Sequence, residues 1–229
     1  MAGGGGLISL PSLLAVGVPP HVALATNKVQ SAIGTSFSTL RYIRSGHVLL
    51  KLGIVGFISA FAGSYTGAWT VLQIPDSSLE AIIPVLIIIV AAVTFLRKDF
   101  GIKDNVNSLS TRQLAIAALF AFGIGFYDGF FGPGTGSFLA FGFVLMFGFG
   151  FLRATAHAKL LNLGSNYAAI IAFVLGGEVY WTIALPMGLA NITGAWTGAG
   201  LAIKGGAKVI KPVFGFVLAG LLIKLIFFP

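Results

Sequence analysis

Ala154-Thr155-Ala156-His157-Ala158-Lys159 restates Ala23-Leu24-Ala25-Thr26-Asn27-Lys28 from 131 residues earlier (154 − 23 = 131). The same spacing returns Gly134-Thr135-Gly136-Ser137 to Gly3-Gly4-Gly5-Gly6, and Gly176-Gly177-Glu178-Val179 to Ser45-Gly46-His47-Val48. It also returns Thr193-Gly194-Ala195-Trp196-Thr197-Gly198-Ala199 to Ala62-Gly63-Ser64-Tyr65-Thr66-Gly67-Ala68. Laid side by side without a gap, 3–68 and 134–199 agree at 13 of 66 positions, mostly at Gly, Ala, Thr and Lys rather than at interchangeable aliphatics. The chain reads as two copies of one unit, an arrangement that in membrane proteins commonly encloses a site between the copies.

Composition places those copies in a bilayer. With 57% hydrophobic and 9% charged residues and a mean hydropathy of +0.98, the 229-residue chain has more apolar surface than a water-soluble fold of that length can bury. The net charge of +8 does not indicate nucleic acid, because such binders gather Lys and Arg on one accessible face and here they fall in short breaks between apolar runs. Cysteine is absent, so there is no disulfide framework, thiolate nucleophile or Cys-based metal site. The sequence calls for no cofactor and no metal, and it offers no nucleophile–base pair or paired intramembrane carboxylates that would suggest an enzyme.

Measured against the roughly 20 residues needed to cross a bilayer as a helix, long spans are predicted at 22–44, 48–73, 79–96, 154–175, 178–203 and 208–228. Shorter helices are predicted at 6–17, 113–130 and 136–151. Phe131-Gly132-Pro133-Gly134-Thr135 separates 113–130 from 136–151 and is too rich in Gly and Pro to stay helical, which makes a helical hairpin. The segment 6–17 matches the second arm of that hairpin and has no first arm, so the symmetry predicts about 20 further residues at the amino end. We expect an all-α, polytopic helical membrane protein. Its units are a first transmembrane repeat at 1–98 lacking its opening helix, a cytoplasmic linker at 99–111, and a second repeat at 112–229.

Charge sets the relation between the copies. Placing the breaks Arg41-Arg44-Lys51, Arg97-Lys98-Lys103-Arg112, Arg153 and Lys204-Lys208-Lys211 in the cytoplasm puts 11 of the 14 Lys and Arg inside. Asp76, Glu80 and Glu178 then lie in outer loops. That placement requires inverted-topology repeats. Tyr180-Trp181 at the outer end of a span reads as part of the interfacial aromatic belt.

The duplicated segments also carry the candidate chemistry. A helix beginning after Gly4-Gly5-Gly6, or after Gly134-Thr135-Gly136-Ser137, offers free backbone N–H groups and the positive end of its dipole, and glycine lets an anion approach closely. The bland reading is small-residue helix packing; duplication and the Gly-Pro-Gly-Thr-Gly break favour a site. Lys28 and Lys159, each about six residues inside its helix, are expected to counter the charge of an anionic substrate, since an intramembrane cation costs on the order of 2.5–3.5 kcal/mol. Snorkelling to the interface is the alternative. Steps of three and four residues from the lysines reach Ser31 in one copy and Asn162, Ser165 and Asn166 in the other, a polar stripe on each helix. Thr26, Asn27, Gln30 and His157 lie beside those stripes and are expected to line the substrate's path. His157, the one histidine inside an apolar span, is with Asp128 a candidate to bind a proton in a transport cycle. Asp128, the one acid inside an apolar span, is read either as a proton site for a transport cycle or as a structural anion that pairs with a lysine or caps the glycine turn.

Several of these stretches resemble the sulfite exporter TauE/SafE family. They are the glycine turn followed by Leu7-Ile8-Ser9-Leu10-Pro11, then Ala23-Leu24-Ala25-Thr26-Asn27-Lys28. In the second copy Gly125-Phe126-Tyr127-Asp128-Gly129-Phe130-Phe131-Gly132-Pro133-Gly134-Thr135-Gly136-Ser137-Phe138 is the most specific part. Ala158-Lys159-Leu160-Leu161-Asn162-Leu163-Gly164-Ser165-Asn166 and Gly194-Ala195-Trp196-Thr197-Gly198-Ala199 fit as well. The resemblance covers almost the whole chain and implies a multi-pass carrier in a prokaryotic plasma membrane, moving sulfur-containing or organic anions such as sulfite or sulfoacetate. It departs from the family where the helix leading into the first glycine turn is missing, which suggests truncation or a late start codon. The expected partners are a small anionic substrate, the lipid bilayer and a second copy of the chain as homo-oligomer. A passive anion channel and a proton-coupled importer are the competing functions.

Overall fold

The computed structural model describes residues 5–96 and 109–227, and every regular element among them is a helix. These are α1 (Gly5–Ala15), α2 (Pro20–Arg44), α3 (Leu50–Val71), α4 (Asp76–Leu96), α5 (Thr111–Phe130), α6 (Thr135–Phe147), α7 (Phe151–Leu175) and α8 (Trp181–Phe227). The expected all-α, polytopic helical membrane architecture is the one observed. Three of these helices, α3, α5 and α7, are long and apolar enough to cross a membrane, and the apolar α6 is shorter. Large apolar side chains such as Ile58, Leu119 and Leu175 point outward, as lipid-facing residues do. Most of the expected 99–111 linker, with Arg97, Lys98 and Lys103, lies outside the described residues, as do Gly3 and Gly4.

The duplication reappears in the element boundaries. α2 and α7 are offset by 131 residues at both ends (151 − 20 and 175 − 44), and α8 starts 131 residues after α3 (181 − 50). Pro19-Pro20 opens α2 with proline at the first helical position, where its missing N–H costs nothing. Ser110 and Gln113 form a reciprocal capping box at the start of α5, the Ser110 N–H reaching Gln113 Oε1 at 2.9 Å. α6 begins at Gly134, with φ of 85°, and ends at Gly148, with φ of 71°. Both are left-handed positions that favour glycine, so α6 stops at Phe147 and not at 151. The predicted spans 178–203 and 208–228 fall in one continuous helix, α8 (Trp181–Phe227). No proline lies between Pro186 and Pro212, and Gly205-Gly206 weaken a helix by only about 1 kcal/mol each, too little to break it.

α3 packs chiefly on α5 and α7, and α2 on α8 and α7. The α3–α5 seam is the closest. A Cβ on Gly63, Gly67, Gly125 or Gly129 would overlap the carbonyl oxygen of Phe122, Phe126, Ala60 or Ser64, respectively. Gly63-X3-Gly67 and Gly125-X3-Gly129 therefore place two backbones in contact, the small-residue mode by which helices associate where hydrophobic burial drives nothing. Successive neighbours along α3 and α7 rise together, Gly53 with Leu160, Phe57 with Gly164, and Leu72 with Gly176 at the end of α7. α3 and α7 therefore run in the same direction. α2 and α7 are interior helices, lined on several sides by buried residues. At the start of α2, the His21 ring faces two acceptors, Asp76 Oδ1 at 2.8 Å and the Val71 carbonyl at 2.9 Å, and so ties α2 to the α3–α4 corner.

Candidate functional site

The polar interior is organised around Asp128, in the last turn of α5. Lys28 from α2 pairs with its Oδ1 at 2.8 Å, both side chains being at most 2% exposed, and the ammonium also donates to the Asp128 backbone carbonyl. The Thr135 hydroxyl at the start of α6 lies 2.7 Å from Oδ1 and 2.7 Å from the Gly132 carbonyl. From α7, Asn162 Nδ2 donates to Oδ2 at 3.1 Å and the Ser165 hydroxyl donates to the same oxygen. Ser64 of α3 extends the cluster by donating to the Ser165 carbonyl at 2.6 Å. One carboxylate thus gathers donors from α2, α6 and α7. This is the chemistry that makes a buried charge tolerable, because each lone pair is met by a donor. Of the alternatives open in the sequence for Asp128, pairing with a lysine is observed; it does not cap α6, whose start has no side-chain cap hydrogen bond, and meets that turn through the Thr135 hydroxyl.

The two lysines differ accordingly. Lys28 is neutralised, whereas Lys159, partly buried in α7, meets no carboxylate or hydrogen-bond acceptor among the described residues. His157 is fully buried and engaged at both ring nitrogens. Nδ1 lies 2.8 Å from the Arg153 carbonyl, and Nε2 accepts the Leu49 N–H at 2.9 Å, so the ring anchors the turn between α2 and α3.

The glycine turns come close to each other. A Cβ on Gly6 would lie 3.2 Å from Asn27 Nδ2 and 3.5 Å from Pro133 Cα, which brings α1, α2 and the α5–α6 turn to one place. Gly5 is the first residue of α1, while Gly4 lies outside the described residues. At the other turn the Thr135 N–H donates to the Gly132 carbonyl at 3.2 Å and the Ser137 N–H to the Gly134 carbonyl at 2.9 Å. The turn thus uses two of the N–H groups expected to face an anion. Thr135, Gly136 and Ser137 are buried.

A second polar cluster adjoins the first turn. Asn27 Oδ1 accepts from the Ser9 hydroxyl at 2.6 Å and from Gln30 Nε2 at 2.9 Å, and Asn191 Nδ2 reaches Gln30 Oε1 at 3.0 Å. Ser31 is partly buried on the same helix. Thr26 Oγ1 and Asn166 Nδ2 are buried without a hydrogen-bond partner among the described residues, unusual for polar atoms cut off from water. Ser9, Ser64, Tyr127 and Asn191 were not singled out from the sequence. Tyr127 donates to the Pro133 carbonyl at 2.5 Å and braces the turn. The signal that could have found Asn191 is a lone amide in an apolar span whose counterpart in the first copy is Ala60. Among the described residues no group of three His, Cys, Asp or Glu could hold a metal ion.

A family model described as Sulfite exporter TauE/SafE matches residues 1–225. The chain is 42% identical over 233 residues to "Probable membrane transporter protein ORF9" of a Sinorhizobium species, covering all of this chain and 87% of that protein. It is 38% identical over 227 residues to "Probable membrane transporter protein YfcA" of Escherichia coli K12, covering 99% of this chain and 84% of that one. A more distant relative, "Probable membrane transporter protein YunE" of Bacillus subtilis, is 27% identical over 220 residues, with 86% and 79% covered. No solved structure matches.

Proposed function

The chain belongs to the sulfite exporter TauE/SafE family, a family of membrane transporters and not of enzymes, as the names of its bacterial relatives also indicate, and from that premise we propose that it exports a small sulfur-containing or organic anion such as sulfite or sulfoacetate. The observation that carries this reading is the meeting of the two glycine turns, Gly6 lying against Pro133 and beside Asn27. In this reading the anion sits between the N-termini of α1 and α6, where helix dipoles favour negative charge. Lys159 supplies the unneutralised cation, and Thr26 Oγ1 and Asn166 Nδ2, which have no hydrogen-bond partner among the described residues, bond to the substrate. Lys28 and Asp128 form the frame, and His157 serves it too.

An inverted repeat fits this arrangement and belongs to the same proposal. α3 runs with α7, and a turn of five residues reverses the chain between α2 and α3, so α2 opposes its own copy. Ser36 and Tyr167, equivalent residues 131 apart, hydrogen-bond to each other at 2.9 Å, as residues on a twofold axis do. With the cell interior negative, each negative charge leaving gains about 2.3 kcal/mol per 100 mV, so export by uniport needs no coupling ion.

The test is a thermal-shift screen of sulfite, sulfate, thiosulfate, sulfoacetate and simple carboxylates on purified protein, repeated with Lys159→Met. At least one anion is expected to raise the melting temperature of the wild type and to lose that effect in the variant. If no anion stabilises the wild type, or if Lys159→Met responds unchanged, the site is wrong.

A further inference from the structure

Among the described residues four side-chain atoms are buried without a hydrogen-bond partner, and two of them, Thr39 Oγ1 and Tyr42 OH, lie outside the site proposed above. They continue a line. On α2, Lys28, Ser31, Thr35, Thr39 and Tyr42 follow one another at steps of three and four residues, which at about 100° per residue keeps them within roughly 80° of one helix face. The line runs about 21 Å from the Lys28 turn to the end of the helix that carries Arg41 and Arg44.

The second copy shows what packing alone requires. Its equivalents are Lys159, Asn162, Asn166, Ile170 and Phe173, polar at the first three positions and apolar at the last two. Phe173 is as fully buried as Tyr42, so the equivalent place in the second copy is filled by an aromatic ring with no hydroxyl. Burying a hydroxyl without a partner is unfavourable, and at Thr39 and Tyr42 nothing in the packing demands one. We infer that Ser31, Thr35, Thr39 and Tyr42 line the route by which an oxyanion moves between the Arg41–Arg44 end of α2 and the glycine turns. The Thr39 and Tyr42 hydroxyls donate to it on the way, and Ile170 and Phe173 close the equivalent path in the second copy. This deepens the transport reading and rests on it. In the present conformation the stretch is closed, Thr39 and Tyr42 being buried, and it opens during the transport cycle.

The chain has no native cysteine, so single cysteines report unambiguously. Thr39→Cys, Tyr42→Cys, Ile170→Cys and Phe173→Cys are placed in sealed vesicles and exposed to a negatively charged, membrane-impermeant methanethiosulfonate, with Arg44→Cys marking the face. Thr39→Cys and Tyr42→Cys are expected to react at least tenfold faster than the other two, from the Arg44 face only, and to be slowed by sulfoacetate or sulfate. In parallel, Thr39→Val/Tyr42→Phe is expected to keep the anion-dependent rise in melting temperature and to lose at least tenfold in flux. Equal or absent labelling at all four positions overturns the route. So does labelling indifferent to both anions, which marks a crevice holding water alone. Failure of the anion site is read separately, as a wild-type melting temperature that ignores every anion tested.

Discussion

Removing one member of the Lys28–Asp128 pair should cost far more than removing both. Asp128→Ala takes away the partner of a buried ammonium 2.8 Å distant and the acceptor for Thr135, Asn162 and Ser165. Breaking a buried pair from one side typically costs about 3–5 kcal/mol, because the remaining charge stays buried and unmatched. For a chain of this size each kcal/mol lowers the melting temperature by about 2–4 °C, so a loss of about 6–20 °C is expected in detergent. Lys28→Met should fall near the lower end, since three neutral donors still face the carboxylate. In Lys28→Met/Asp128→Leu no charge remains. Thr135 retains the Gly132 carbonyl at 2.7 Å and Ser165 the Asn162 carbonyl at 3.0 Å as acceptors. The double variant should therefore melt above Asp128→Ala, and above the sum of the Lys28→Met and Asp128→Leu losses by a coupling of about 2 kcal/mol or more. Thermal unfolding of the wild type and these variants, read by intrinsic fluorescence, completes the cycle. Additive losses would refute the clasp. So would a Lys28→Met protein that melts like the wild type while losing its response to anions, because Lys28 would then be a ligand and not part of the frame.

Gly129→Ala should destabilise severely or prevent folding, because its Cβ would overlap the Ser64 carbonyl oxygen and backbone cannot yield as a flexible side chain does. Gly123→Ala on the same helix, with nothing within 4 Å of the added carbon, should be neutral or stabilise by up to about 1 kcal/mol; equal behaviour of the two in expression and melting would contradict the close α3–α5 seam. His157→Phe leaves the Leu49 N–H without its acceptor and should cost about 1–3 kcal/mol without altering the anion-dependent shift. A lost shift at unchanged stability would instead make His157 a substrate ligand. Asn191→Leu removes both bonds to Gln30 and should lower the melting temperature by about 2–6 °C at roughly 1–1.5 kcal/mol, and an unchanged value would mean that this link is not made in solution.

The fold was legible because a membrane helix announces itself by a run of apolar residues, and because the second copy checked the first. The boundaries of α2 and α7 agree to the residue with the 131-residue offset, which no single apolar run could have specified. What was missed has a physical reason in each case. The break expected at Lys204–Lys211 was inferred from charge, but lysines and two glycines do not by themselves end a helix, and Pro212 lies just beyond that stretch inside α8. The α3–α5 seam escaped notice since Gly63, Gly67, Gly125 and Gly129 read only as small residues until a facing carbonyl is known. Their spacing of four was visible and is the usual signature. At the site, the sequence grouped Lys28 with Lys159 on the strength of equivalence, yet equivalence fixes a position in the copy and not the surroundings.

Those surroundings explain how one duplicated lysine comes to have two environments. Lys28 meets Asp128, which lies just before the second duplicated segment 134–199, so the first lysine is matched by a group outside its own segment. The donors that complete Asp128 are second-copy residues, Thr135, Asn162 and Ser165, and their first-copy equivalents are Gly4, Ser31 and Gly34. The other cluster has the opposite bias. Ser9, Asn27 and Gln30 belong to the first copy, where the second has Ala140, Ala158 and Leu161. The two segments thus differ in polarity at all of these positions but Ser31/Asn162, and the two polar clusters flank the place where Gly6 approaches Pro133. Strict symmetry would give two equal half-sites. The observed division gives one side held by a neutralised ion pair and the other by neutral amides and a hydroxyl, so in the proposed site an anion between them would face a field set by the cation that no carboxylate matches.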